Sequence, residues 1–470
     1  MISRTGLVGV MSVVVLSGCI SQTSSSAKGD TQFVDSFPIK GSALPYSVLR
    51  DDLKDGQSGQ TFEIRNGGFG SAMTAHPDNA NQFYTLTDRG PNAKYTGDYG
   101  KGKIFPVADY TPRIGLFEVA DDGQIRLVRS ILLKRPDGSL ISGLPNTSAF
   151  GGTGETPYYA DGQPVLMDSS KPYDAQTNPI KLDDYGLDGE GLVALKDGSF
   201  WVSDEYGPHM VHFDSAGVEI ERINPFAQDK RNTYSLPSVF QHRRANRGME
   251  GLAITPDERT LVGIMQSTML NPDKAAQKGN LTRIVTVDLV TGKTEQYLYR
   301  QNKNENSNSE IAALNASQFL VIERDGSFLL GGPKKANPNA QKQVYRIDLS
   351  TGTPLSSVKL SNAIQRDENY GLLIEGLTLE QFAQQKGWQA LAEYGIKPVR
   401  KSLLVDMVDE VAYPHDKMEG LWIINDHYLG ILNDDDFATS STKGKLGQKY
   451  LGDGTVDNNQ LYIIKTDFLR

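Results

Sequence analysis

Glu190-Gly191-Leu192-Val193-Ala194-Leu195, then Lys196-Asp197-Gly198, then Ser199-Phe200-Trp201-Val202-Ser203-Asp204-Glu205 is the stretch that decides the fold. The first six residues are a short apolar run opened by a carboxylate. The next three are a turn in which Gly198 supplies a positive φ. The last seven are a second run, rich in aromatic and β-branched side chains, as strands are. Met210 to Asp214 reads as a third strand, Ala216-Gly217 as a turn, and Glu219 to Ile223 as a fourth. Four short antiparallel strands in succession make a meander, the unit of one propeller blade.

The unit recurs along the chain, which makes it a repeat rather than an isolated hairpin. Glu250-Gly251-Leu252-Ala253-Ile254 opens a second copy, with Thr260 to Gln266, Arg283 to Val290 and Glu295 to Tyr299 behind it. Glu310-Ile311-Ala312-Ala313-Leu314 opens a third, followed by Phe319 to Glu323 and Val344 to Leu349. Glu419-Gly420-Leu421-Trp422-Ile423 opens the last, followed by Tyr428 to Leu432 and Leu461 to Lys465. An earlier copy begins at Ser71-Ala72-Met73, where Ser71 replaces the Glu, and continues through Phe83 to Thr87 and Ile114 to Val119. Glu190, Glu250 and Glu310 are spaced 60 residues apart. The gaps before Glu190 and after Glu310 are close to two periods each, leaving room for one or two hidden units in 134–189 and 360–418. The expected fold is therefore all-β: a propeller of four-stranded antiparallel blades, six favoured, five or seven admitted. Lys134 to Asp188 reads mainly as long loops. Leu379 to Tyr394 reads as a helical insertion, with Thr378 and Gln381 able to form a capping box. Phe33 to Ile64 can supply the outer strand that closes the ring.

In a propeller the innermost strand of each blade lines the central channel. A Glu at the mouth of successive inner strands thus points several carboxylates at one axis. Their repulsion raises their pKa values unless a cation neutralises them. Second strands end in more acid: Asp88-Arg89, Asp204-Glu205, Glu323-Arg324-Asp325 and Asn433-Asp434-Asp435-Asp436, with Gln266 in the acid's place in one copy. Such oxygen ligands suit a hard cation, Ca2+ above all. The metal set expected from the repeat is Glu190, Asp204, Glu205, Glu250, Glu310, Glu323 and Glu419. The six His residues form no H-E-x-x-H and no pairing with Cys, which disfavours zinc. The alternative reading is that these acids cap backbone N–H groups and join neighbouring blades.

The chain carries a net charge of −9 and no basic stripe, which excludes nucleic-acid binding as a leading function. Its single cysteine, Cys19, excludes an internal disulfide. Cys19 follows a basic start at Arg4, an apolar run from Gly6 to Val15, and Leu16-Ser17-Gly18. That run is too short to span a bilayer, and the pattern reads as a lipobox. The expected organisation is a lipoprotein signal peptide at 1–18, a lipidated Cys19 with a Ser-rich tether to 32, and one domain over 33–470. Ile20 after the cysteine favours the outer membrane in a cell that has one. The expected partners are the membrane, through the lipid on Cys19, and a small phosphorylated or ester substrate, bound by a monomer.

Several ordered blocks carry a family resemblance: Asp88-Arg89-Gly90-Pro91-Asn92; Asp188-Gly189-Glu190-Gly191-Leu192; Asp204-Glu205-Tyr206-Gly207-Pro208; Arg243 through Leu252; Ser309-Glu310-Ile311 with Glu323-Arg324-Asp325; and Glu419-Gly420-Leu421 with Asn433 through Phe437. Over about residues 60–467 they resemble the "esterase-like activity of phytase" family. The resemblance implies a β-propeller and a phosphoester or ester hydrolase. On the leading reading, Ca2+ held by the acids bridges a phosphate and a water. Asp434 or Asp435 acts as base, and Arg89, Arg247 and Arg324 neutralise developing charge. Two alternatives stand beside it: a Ca2+-dependent lactone or carboxylester hydrolase, and a non-enzymatic surface lipoprotein in which calcium is only a staple. A serine esterase is disfavoured because no G-x-S-x-G elbow occurs.

Overall fold

A computed structural model describes residues 33–442 and 444–466. The lipobox, Cys19 and the tether lie outside the described residues.

The repeat read from Glu190 is a blade. Gly189–Ala194, Phe200–Asp204, Met210–Phe213 and Glu219–Asn224 pair in order as antiparallel neighbours, and Asn232–Ser235 adds a parallel edge strand. The turn glycines Gly198, Gly217 and Gly292 all have positive φ, as their hairpins require. Four more sheets share this plan. Blade one is Ala72–Ala75, Gln82–Leu86, Arg113–Val119 and Ile125–Leu132. Blade three is Met249–Ile254, Thr260–Met265, Leu281–Asp288 and Thr294–Arg300. Blade four is Ser307–Ala313, Gln318–Arg324, Lys342–Asp348 and Arg400–Asp406. Blade five is Gly420–Asn425, Tyr428–Leu432, Gln460–Lys465 and, from the other end of the chain, Ser42–Ala43. That last pairing is the expected closure by the Phe33–Ile64 segment.

The sheets form a ring. Five apolar cores fill the five gaps between neighbours: Leu86 and Val202 between blades one and two, Trp201 and Met265 between two and three, Ile264 and Val321 between three and four, Ile322 and Ile431 between four and five, and Trp422 and Phe83 between five and one. The described residues thus supply five blades where six were favoured. The two long gaps hold insertions instead. Residues 133–188 are mainly loops, with a 3-10 turn at Ser148–Phe150 and a short strand at Thr156–Tyr158. Residues 349–399 separate the third and fourth strands of blade four. They carry the expected helices, Leu379–Lys386 and Trp388–Glu393, and the capping box at Thr378 and Gln381 is present. Buried Glu380 ties the first of these helices to Arg283 of blade three at 2.7 Å. Among the described residues no helix is long and apolar enough to cross a membrane.

The E-G-L opener has a packing reason. A Cβ on Gly251 would lie 2.7 Å from the Ile311 nitrogen and 2.8 Å from the Glu310 carbonyl carbon. Glycine there lets adjoining inner strands approach closely enough for a narrow ring. Each inner strand has a polar head and an apolar tail, so the axis carries two unlike cavities of about 420 Å³ each. One is lined by Leu192, Leu252, Ile254, Ile311, Leu421 and Ile423. The other holds the acids.

Candidate active site

Eight carboxyl groups and six basic side chains line the acidic cavity, a formal excess of two acids. The inner-strand openers supply Glu190, Glu250 and Glu419; the second-strand ends supply Asp88, Glu205 and Arg324. Two halves differ in how the charge is met.

On the side of blades three to five the resident cation is a side chain. The Arg324 guanidinium bonds Glu419 Oε1 and lies 3.8 Å from Glu250, while its Nε donates to Ser309 Oγ at 2.9 Å. Burial alone would lower the pKa of Arg324, but Glu419 and Glu250 outweigh it and raise it. Gln266 donates from one amide to both Glu205 (2.9 Å) and Glu250 (2.6 Å), so the missing acid of the repeat is a hydrogen-bonding bridge. Glu250 is pushed up to about 7 by burial and by Glu419. Burial, with Glu250 and Asp188 adding, raises Glu205 well above the usual carboxylate range.

On the side of blades one and two, carboxylate oxygens of Asp88, Asp188 and Glu190 lie within 4.8 Å of one another, and all three residues are buried. Asp188 Oδ2 has no hydrogen-bond partner although Arg89 Nη1 stands 3.2 Å away. Burial and neighbouring carboxylates push Asp88 up to about 7 and raise Glu190 well above the usual carboxylate range. Three buried carboxylates with oxygens at this spacing fit a hard cation.

Other expected residues lie elsewhere. Asp204 accepts the N–H groups of Asp188 (2.8 Å) and Gly207 (3.1 Å), which shapes the turn beside the site. Glu310 lies deeper on the axis, where the N–H of Ile311 (2.9 Å) and of Leu252 (3.4 Å) bond its Oε1. Glu323 is bound to Lys401, Tyr299 and Asn306 between blades three and four, away from the cavity. Asp434 pairs with Lys417, and Asp435 accepts the N–H groups of Gly68 (3.1 Å) and Phe437 (3.0 Å); neither reaches the cavity wall, where Asp436 stands instead. Arg89 and Arg247 do line it. Arg89 Nη1 is held by Asn246 at 2.9 Å.

The repeat pattern did not place Asp88 and Asp188 in the metal set. Ser71 leaves blade one without an opening acid, and Asp88, at the end of that blade's second strand, takes up the role. The mouth was not foreseeable from the repeat at all. Between the second and third strands of blade one, Ala93–Gly97 and Gly100–Ile104 form a hairpin that brings Lys94 and Lys103 to the cavity.

A five-sheet β-propeller with an acidic central site and a basic mouth is the class that fold and site define. The chain belongs to the phytase-like family described as "esterase-like activity of phytase", whose model matches residues 64–437. It is similar to a secreted protein of Arthroderma benhamiae, 28% identical over 243 residues, 43% of this chain and 46% of that one. The chain therefore spans about half the length of that relative. Among solved structures it is similar to the β-propeller domain of Cps50 (Swd1) of Myceliophteria thermophila (10% identity, TM-score 0.29, covering 89% of this chain and 79% of that one). It is also similar to the PQQ-bound aldose sugar dehydrogenase of Streptomyces coelicolor (12%, 0.31, 91% and 99%).

Proposed function

We propose that this chain is an exported, Ca2+-dependent hydrolase of phosphoesters. The observation that carries the reading is the buried Asp88–Asp188–Glu190 cluster under a mouth lined by Lys94, Lys103 and Arg247. A divalent cation in that cluster would offset the cavity's excess of acids, polarise a phosphoryl oxygen and acidify a water. The chain's own groups do the rest. Lys94, Arg247 and Arg89 hold the anionic oxygens of the ester at the mouth. Glu205, fixed by Gln266, accepts the proton of the attacking water. Arg324 stays with Glu250 and Glu419 and keeps those acids from competing for the substrate's place. Basic residues at the entrance favour an anionic ester over a neutral lactone.

The test is hydrolysis of p-nitrophenyl phosphate by chelator-treated protein before and after adding Ca2+, with Glu190→Gln as control. Turnover that is restored by calcium in the parent and at least about 100-fold lower in the variant supports the reading. Turnover indifferent to chelator would overturn it. Export and tethering through Cys19 form part of the same reading, supported by Leu16-Ser17-Gly18-Cys19 and by the secreted relative. Incorporation of labelled palmitate in bacterial cells, abolished by Cys19→Ala, checks it.

A further inference from the structure

Lys94 and Lys103 stand directly opposite each other on the two strands of the mouth hairpin. Like charges in that relation destabilise a pair of strands, so the pairing calls for a reason. The two side chains are not equivalent. Lys94 is exposed, while Lys103 is partly buried and its Nζ donates to Asn92 Oδ1 at 2.8 Å. Asn92 is itself fixed to the Gly90 carbonyl at 3.0 Å. The hairpin is pinned from behind as well. Gly102 packs against Thr156 so closely that a Cβ would lie 1.8 Å from its carbonyl oxygen, and Tyr158 donates to the Gly100 carbonyl at 2.8 Å. Lys103 is therefore a held group rather than a mobile surface amine. It borders both the acidic cavity and a side pocket of about 220 Å³.

We infer that Lys103 is the proton donor to the leaving group in the phosphoester hydrolysis proposed above. The side pocket, walled by Thr439, Ser440 and Phe437, receives the departing alcohol. This inference rests on that reading of the site and adds a residue and a step to it. Water attacks phosphorus and gives its proton to Glu205. The phosphorus–oxygen bond to the alcohol breaks, and the departing alkoxide takes a proton from the Lys103 ammonium. The neutral amine is reprotonated from solvent at the mouth. Burial and the Arg89 guanidinium lower the pKa of Lys103 to about 8, against the pull of Glu155, Asp188 and Glu205. An acid in that range is well matched to neutral pH. The hydrogen bond of Lys103 Nζ goes to Asn92 and not to a carboxylate of the cluster.

The experiment compares two substrates differing in how much the leaving group needs a proton: p-nitrophenyl phosphate and glycerol 2-phosphate, each with Ca2+ present. Lys103→Met should cost about 100-fold or more in kcat on glycerol 2-phosphate and several-fold at most on the aryl ester. Lys103→Arg keeps the charge but is too weak an acid, and should show the same split. Equal losses on both substrates would mean that Lys103 only attracts the anion, and would overturn the inference while leaving the hydrolase reading intact. A parent protein that cleaves neither ester would overturn both. Unchanged thermal melting of the variants separates either result from misfolding.

Discussion

Arg324 and Glu419 form a buried ion pair on the axis of the ring, joining the second strand of blade four to the first strand of blade five. The same guanidinium serves Glu250 of blade three at 3.8 Å. Converging carboxylates on this side of the axis are thus balanced by the protein's own cation.

Removing Arg324 should therefore damage stability before it damages anything else. Breaking a buried pair strands an uncompensated charge, at about 3–5 kcal/mol. We expect Arg324→Met to lower the urea unfolding free energy by that amount. Adding Glu419→Gln should recover part of it, because the stranded carboxylate is then gone.

The cluster on the other side gives the opposite signature. Ca2+ bound only by the native state stabilises it by about 2.7 kcal/mol at 100 times its dissociation constant. Thermal melting should rise with calcium in the parent protein. It should be indifferent to calcium in Asp188→Asn, in which the carboxylate becomes a neutral amide.

Acidity should be visible in stability through Asp435, a residue outside the proposed metal cluster. Burial, with Asp457 adding, pushes its carboxyl up to about 7. An unfolded aspartate titrates near 3.9. Between those values the native state holds a proton that the unfolded chain has released, so stability falls as pH rises. The slope is at most about 1.4 kcal/mol per pH unit for one group. Asp204, also pushed up to about 7 by burial, contributes in the same sense. Urea unfolding in chelator from pH 4 to 8 should show the decline, and Asp435→Asn should flatten it.

The narrowness of the ring can be tested at Gly251. A methyl group there meets backbone atoms of Ile311 and Glu310 at 2.7–2.8 Å, and backbone cannot rotate aside. Gly251→Ala should cost at least about 1–3 kcal/mol, read by thermal or urea unfolding. Alanine at Gly454, a positive-φ turn with nothing near its Cβ position, should cost less.

Much of the architecture was legible because it is local. Apolar runs, Asp-Gly and Thr-Gly turns, and a carboxylate opening four of the five inner strands recur along the chain, and each needs only its own neighbours to be read. The helix at Leu379 was legible for the same reason: its cap lies in the sequence. The blade count was not, because blade four delays its last strand, Arg400–Asp406, behind a long insertion. Spacing alone cannot distinguish a late strand from an extra blade.

The sequence by itself determined that acids from several strands would meet on one axis, since period and strand polarity leave little choice. It did not determine which acids meet. Glu323 and Arg324 end the same strand, yet Glu323 turns outward to Lys401 while Arg324 meets Glu419 on the axis, because successive residues of a strand point to opposite faces. Asp88 and Asp188 lie 100 positions apart and share a cluster with Glu190 only because blades one and two are neighbours. Lys103 comes to the same cavity from a hairpin inserted outside the repeat. Charge that converges across blades is a property of the closed ring, and only the tertiary structure could assign its partners.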